Sequence, residues 1–221
     1  VSETFASLKE QLAMDDMGLR MKAIHASRSL SLAERFELLV IAAADPYARV
    51  RYDAVSQIGT VGTVDLPKSL EILSNCLLTD AEIDVRAAAA ASLGALQLTQ
   101  SFDILKTAYE STNDWMFQFS IVAAIGELGD AQGFDFLAEA LQSPNELVKI
   151  AAIGSLGDLG QPEAVDLLLP LIESEDWQVR HRVAQSLAQL GGDRAKVGLE
   201  RLANDPMPQV SEATQSFLES I

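Results

Sequence analysis

The chain has 221 residues, of which 48% are hydrophobic and 22% charged, and its 16 basic residues against 32 acidic ones give a formal net charge of -16 at pH 7. That much apolar material supports a continuous core and excludes an intrinsically disordered chain, while a field of that sign makes nucleic acid and anionic membrane surfaces poor partners. One cysteine cannot make an internal disulfide, no apolar segment approaches the ~20 residues that cross a bilayer, and Val1 to Met14 is amphipathic, unlike a signal peptide, so a cytoplasmic location is expected.

A short phrase recurs along the sequence: an apolar anchor, usually a cation, an Ala-rich run, then a Leu-Gly ending. The anchors are Leu19, Val50, Val85, Phe117, Val148, Val179 and Val210, separated by 31, 35, 32, 31, 31 and 31 residues. A period of this size marks an all-α solenoid, in which each unit buries its apolar face only against the next. The whole of 1–221 is therefore expected to form a single repeat domain of about seven helical hairpins.

The repeats follow one another in a common pattern, with apolar residues at offsets 0, 4, 8 and 11 from each anchor, the stripe of a helix and not of a strand. The first opens at Leu19; the second opens at Val50 behind Asp45-Pro46 and ends at Gly62. The third, at Val85 behind Asp80, comes four residues later than the modal spacing, so the stretch from Gly62 to Pro67 is expected to protrude as a loop. In the fourth, Asp114-Trp115-Met116-Phe117-Gln118 replaces the usual Val-Arg with bulk, and a second helix is predicted over Ala131 to Leu141. The fifth repeat carries Val148, Ala152, Leu156 and Leu159 behind Ser143-Pro144, with a second helix from Pro162 to Ile172. The sixth carries Val179, Val183, Leu187 and Leu190 behind Asp176, with a second helix from Asp193 to Ala203, and the seventh opens at Val210 behind Asp205-Pro206. Gly62, Gly129, Gly160 and Gly191 stand at offset 12, where a left-handed helix end is expected. Ile221 ends within a helix, so the array is expected to cap itself by pairing as a homodimer.

At 100° per residue, offsets 2, 6 and 9 point away from the stripe. Offset 2 holds Met21, Tyr52, Phe119, Ile150 and His181, too apolar a row for ordinary surface; offsets 6 and 9 are small, with His25 and Arg28 among them. The expected result is a roomy groove with an aromatic and aliphatic ridge and with Trp115 and Trp177 at one lip; the competing expectation is that offsets 2 and 9 are consumed by packing between repeats. Arg20, Arg51, Arg86, Lys149 and Arg180, each following its anchor, are expected to pair with loop carboxylates as an inter-repeat ladder. Cys76 lies in an apolar run and is expected to be buried.

No metal-ligand spacing is present, since His25 and His181 are 156 residues apart and neither has a Cys or carboxylate cluster in sequence. Nucleophile elbows and phosphate loops are also missing. Any chemistry would rest on a dispersed acid or base, for which Asp53, His25 and His181 are the candidates.

The unit Asp-x-x-Val-Arg-x-x-Ala-x-x-x-Leu-Gly resembles the short HEAT-like repeats of the phycobilisome lyase family, and the segment from Arg49 to Thr60 resembles the non-bleaching B proteins of cyanobacteria. The resemblance implies a role in phycobilisome degradation, with phycocyanobilin as ligand or substrate, no required cofactor, and phycobiliproteins such as phycocyanin and allophycocyanin as partners. It carries no family role over to a named residue; with a bilin as the ligand it implies, Tyr52, Phe119, Ile150, Met21 and Trp115 would contact the apolar body and Lys22, Arg28 and Arg182 would meet the carboxylates. Pigment detachment, pigment attachment as in the related bilin lyases, and a non-catalytic adaptor that binds phycobiliprotein subunits all stay open at this point.

Overall fold

The computed structural model describes residues 4–220; Val1 to Glu3 and Ile221, with the self-pairing expected there, lie outside the described residues. The described residues form an α-solenoid of paired helices with short connections. Packing divides the chain into two compact units, the first ending at Asn113 and the second beginning at Asp114. Among the described residues, no helix is long and apolar enough to cross a membrane.

The first unit contains α1 (Phe5–Ala13), α2 (Met17–Ala26), α3 (Leu32–Ala42), α4 (Ala48–Val61), α5 (Leu66–Thr79), α6 (Ile83–Ala95) and α7 (Phe102–Glu110). The anchor helices α2, α4 and α6 stack side by side, and α1, α3 and α5 form the other layer. The second unit contains α8 (Trp115–Leu128), α9 (Gly133–Ala140), α10 (Glu146–Leu159), α11 (Ala164–Leu168), α12 (Trp177–Leu190), α13 (Gly192–Leu202) and α14 (Pro208–Ser220). Here α8, α10, α12 and α14 form the stack. The second helix expected from Pro162 to Ile172 is α11 followed by a 3-10 helix, Leu169–Glu173, because Pro170 has no N–H to continue the ladder.

The apolar stripe is where the spacing puts it. Val50, Val85, Phe117, Val148, Val179 and Val210 are buried, and so is every residue at offset 4, from Ala23 to Thr214. Leu19 differs: it is 39% exposed, and Ala23 and Ile24 supply the buried face of α2.

Two local expectations are corrected. Gly129 and Gly160, with φ of 66 and 71°, are the left-handed ends expected; Gly191 shares the positive φ, 67°, but its ψ of -167° is extended and not left-handed helical, and Gly62 has φ of -65°. Gly62 is required for close approach instead, since a Cβ there would stand 2.6 Å from Oγ of Ser69, which donates to the Gly62 carbonyl at 2.9 Å. The four extra residues of this repeat do not form a protruding loop. They are absorbed by a 3-10 turn, Gly62–Val64, and by the 14 residues of α5, capped at Asp65.

Loop carboxylates join the repeats. Arg51 forks onto Asp80 with both distances 2.7 Å, Arg180 onto Asp205 at 2.6 and 2.9 Å, and Arg20 reaches Asp45 at 2.6 Å. Each Asp also accepts the N–H two residues ahead, so one carboxylate both shapes the helix entry and ties it to the preceding repeat. Lys149 departs from the ladder and pairs within its own repeat, with Glu146 at 2.7 Å. Arg86 donates from Nε to the Leu77 carbonyl at 2.8 Å.

Candidate functional site

The face left exposed on the anchor helices is built by a fixed register between successive repeats. Ser92, Ser155 and Ser186, all at offset 7, donate to the carbonyls of Val55, Val122 and Ile153 in the repeat before, at 2.8, 3.0 and 2.9 Å. Each serine lies against the offset-9 glycine of that repeat, and a Cβ on Gly59, Gly126 or Gly157 would come within 2.8, 2.5 or 2.8 Å of its side chain. The room expected at offset 9 is therefore filled by packing between helices. Offset 2 is not consumed: Phe119 is exposed, and Met21, Tyr52, Ile150 and His181 are half-buried.

The same register places offset 6 of one repeat against offset 3 of the next. In the first unit this brings together two of the residues singled out for proton transfer, with Nε2 of His25 at 2.9 Å from Oδ2 of Asp53. His25 is mostly exposed and Asp53 largely covered, an arrangement that orients an accessible imidazole by a fixed carboxylate. Asp53 also accepts from Nε2 of Gln57 at 3.3 Å, and Oε1 of Gln57 accepts from Nη2 of Arg35 at 2.7 Å. The result is one connected chain, Arg35 to Gln57 to Asp53 to His25. Tyr52 stands beside Asp53 on α4, with the Arg49 guanidinium 5.3 Å from its ring centroid.

Arg35 and Gln57 escaped the sequence reading. Arg35 lies on α3, off the anchor stripe, and has no counterpart in the repeat phrase. Gln57 did leave a signal: it is a long buried amide at the offset where three other repeats carry serine.

In the second unit the equivalent register sets Arg182 on Gly154, and Nη1 of Arg182 donates to Oε1 of Gln185 at 3.1 Å. Trp115, Met116, Phe119 and Leu147 are exposed on α8 and α10, with Ile150 on the next turn of α10. His181, the third proton-transfer candidate, belongs to this unit and adjoins Arg182 on α12. Lys22 and Arg28 are exposed in the first unit. Cys76 is buried, and burial pushes its thiol up to about 11, so it is not a nucleophile at neutral pH. Among the described residues, no group of His, Cys, Asp and Glu could hold a metal ion.

Residues 70–145 and 134–218 match the family model of HEAT repeats, and the chain belongs to the HEAT-repeat family. No curated protein matches the sequence. Among solved structures, the complex of CpcE and CpcF of phycocyanin lyase from Nostoc sp. PCC7120 is 18% identical, with a TM-score of 0.62, over 100% of this chain and 95% of that one. The archaeal HEAT-like repeats protein from Thermococcus onnurineus NA1 is 16% identical, with a TM-score of 0.59, over 98% of each chain. An engineered protein is 19% identical, with a TM-score of 0.61, over 97% of this chain and 67% of its own. At these identities the likeness is one of fold.

Proposed function

We propose that this HEAT-repeat protein binds the bilin of phycobiliproteins and assists its detachment during phycobilisome degradation, the role that the resemblance to non-bleaching B proteins implies. The observation that carries the reading is the His25 to Asp53 pair beside Tyr52 on an exposed helix face. The segment Arg49 to Thr60, on which the resemblance rests, lies within α4 and supplies Tyr52, Asp53 and Gln57 of this site. The HEAT fold shared with the phycocyanin lyase complex supports the reading at the level of the scaffold.

Release of a thioether-linked bilin needs a base to take a proton from the pigment carbon next to the C–S bond. A C=C bond forms as the C–S bond breaks, and the sulfur leaves as a thiolate that is then protonated. A neutral imidazole held by a carboxylate is suited to the first step. In this proposal His25 accepts the proton, Asp53 stabilises the imidazolium, and Tyr52 packs against the conjugated body of the pigment. Location with phycobilisomes in the cytoplasm belongs to the same proposal.

A second reading, a non-catalytic adaptor that holds phycobiliprotein subunits, is favoured by the exposed row Trp115, Met116, Phe119 and Leu147. Titration with free phycocyanobilin separates the two. Under the pigment reading, the visible band shifts on binding and Tyr52→Ala abolishes the shift; a titration unchanged by that substitution removes the first-unit face as the pigment site.

A further inference from the structure

Each hydrogen bond in the network from Arg35 to His25 has a fixed direction. A guanidinium carries donors and no acceptor, so the Gln57 atom that meets Nη2 of Arg35 at 2.7 Å is the amide oxygen. The NH2 group of Gln57 is then the end that faces Asp53, and it donates to Oδ2 at 3.3 Å. An ionised carboxylate only accepts, so the 2.9 Å contact between the same Oδ2 and Nε2 of His25 is made by an imidazole N–H. One carboxylate oxygen receives two donors, one from a buried amide and one from a mostly exposed ring.

The polarity starts at Arg35. Among the described residues, the bond to Gln57 is the one hydrogen bond it makes, and its Nε is buried without a partner. Gln57 is itself buried, so turning its amide over would set two groups of donors against each other with no water to satisfy them. At the other end of the network, Nε2 of His25 is taken by Asp53. Nδ1 makes no hydrogen bond among the described residues, and in the neutral ring it carries the lone pair.

We infer that Gln57, oriented by Arg35, is a positioning residue: it holds Asp53 as the acceptor of the His25 Nε2–H and so makes Nδ1 the atom through which His25 takes a proton. Arg35 and Gln57 act through Asp53 and need not touch a substrate. The inference rests on the detachment reading for the use made of Nδ1, which there takes the proton from the pigment carbon beside the C–S bond. The ring tautomer is a property of the chain without pigment, so it can fail while pigment release stands, and the reverse.

The test is the tautomer of His25, read from two-bond proton-nitrogen correlation spectra of the full chain without pigment at a pH where the rings are neutral. The chain has two histidines, so the His25 signals are those lost in His25→Gln, and His181 serves as the internal control. In the parent, His25 is expected as a single Nε2–H form, not the mixture of forms shown by histidine in an unstructured peptide. Gln57→Met keeps the length of the side chain and removes its donor; Arg35→Met frees the Gln57 amide to turn. In each, the His25 ring shifts are expected to move toward the peptide mixture, while those of His181 stay in place and the Arg51 Nε–H signal reports an intact ladder. Either variant suffices if the other does not fold. The inference is overturned by an Nδ1–H form or a peptide-like mixture in the parent, or by parent ring shifts that persist in either folded variant.

Discussion

The guanidinium of Arg182 occupies the volume that a side chain at position 154 would need, and Gly154 is the residue that seats it. Glycine inside a helix costs about 1 kcal/mol relative to alanine, so Gly154→Ala gains propensity and displaces only the far end of a flexible side chain. We expect the stability of this variant to stay within about 1 kcal/mol of the parent, while Arg182 leaves its seat and loses Gln185. Thermal unfolding checks the first part and the Arg182 Nε–H signal the second; a large drop in Tm would show that the seat is structural.

Gly126 faces rigid neighbours instead. A Cβ there would lie 2.5 Å from Cβ and Oγ of Ser155 and 2.8 Å from its Cα, so the stacked helices α8 and α10 would have to separate. Gly126→Ala is expected to cost about 2 kcal/mol despite its better helix propensity. Adding Ser155→Gly should recover part of that loss in denaturant unfolding, because it removes the clashing side chain at the expense of the bond to Val122.

The ladder makes the fold acid-sensitive. Hydrogen bonds from Arg51 and Arg180 hold Asp80 and Asp205 below the ordinary carboxylate value of 3.8. A carboxylate whose folded value lies below its unfolded one contributes stability above the unfolded value, and that contribution is lost as pH falls through the folded value. Tm should therefore be insensitive to these groups near neutrality and should fall below about pH 3.8. Asp80→Asn keeps the turn to the Glu82 N–H but leaves Arg51 without its counter-charge, at a cost of about 2 kcal/mol at pH 7. Combined with Asp205→Asn, it should flatten the acid limb of the Tm profile.

His25 and Asp53 give a prediction that separates chemistry from folding. His25 is mostly exposed, so His25→Gln should change stability by less than about 1 kcal/mol while abolishing any bilin release. Equal release by this variant and the parent would remove His25 as the base.

The sequence shows the repeat period, the buried stripe and most of the ladder, because each is a property of one repeat read along itself. The spacing pairs Arg51 with a loop carboxylate without saying which, and the structure makes it Asp80. The fate of Gly59, Gly126 and Gly157 could not, because a helical wheel shows which way offset 9 points and not that offset 7 of the next repeat fills it. Gly62 departs from its spacing for a related reason: its position in the repeat suggests a positive φ, but what it needs is proximity to Ser69. At the site, the choice of His25 and Asp53 was legible as residue chemistry, but their meeting depends on a register that links offset 6 to offset 3 across repeats. Arg35 was invisible because it sits on α3, outside the repeat phrase.

The central claim, pigment detachment by the face that carries His25, Asp53 and Tyr52, is tested most directly by mixing the purified chain with intact holo-phycocyanin and measuring the pigment that remains covalently attached to the phycocyanin subunits. The account predicts a time-dependent loss of covalent pigment with matching loss of visible absorbance, and no loss with His25→Gln. Fully retained pigment, or pigment gained by apo-phycocyanin supplied with free bilin, would contradict it.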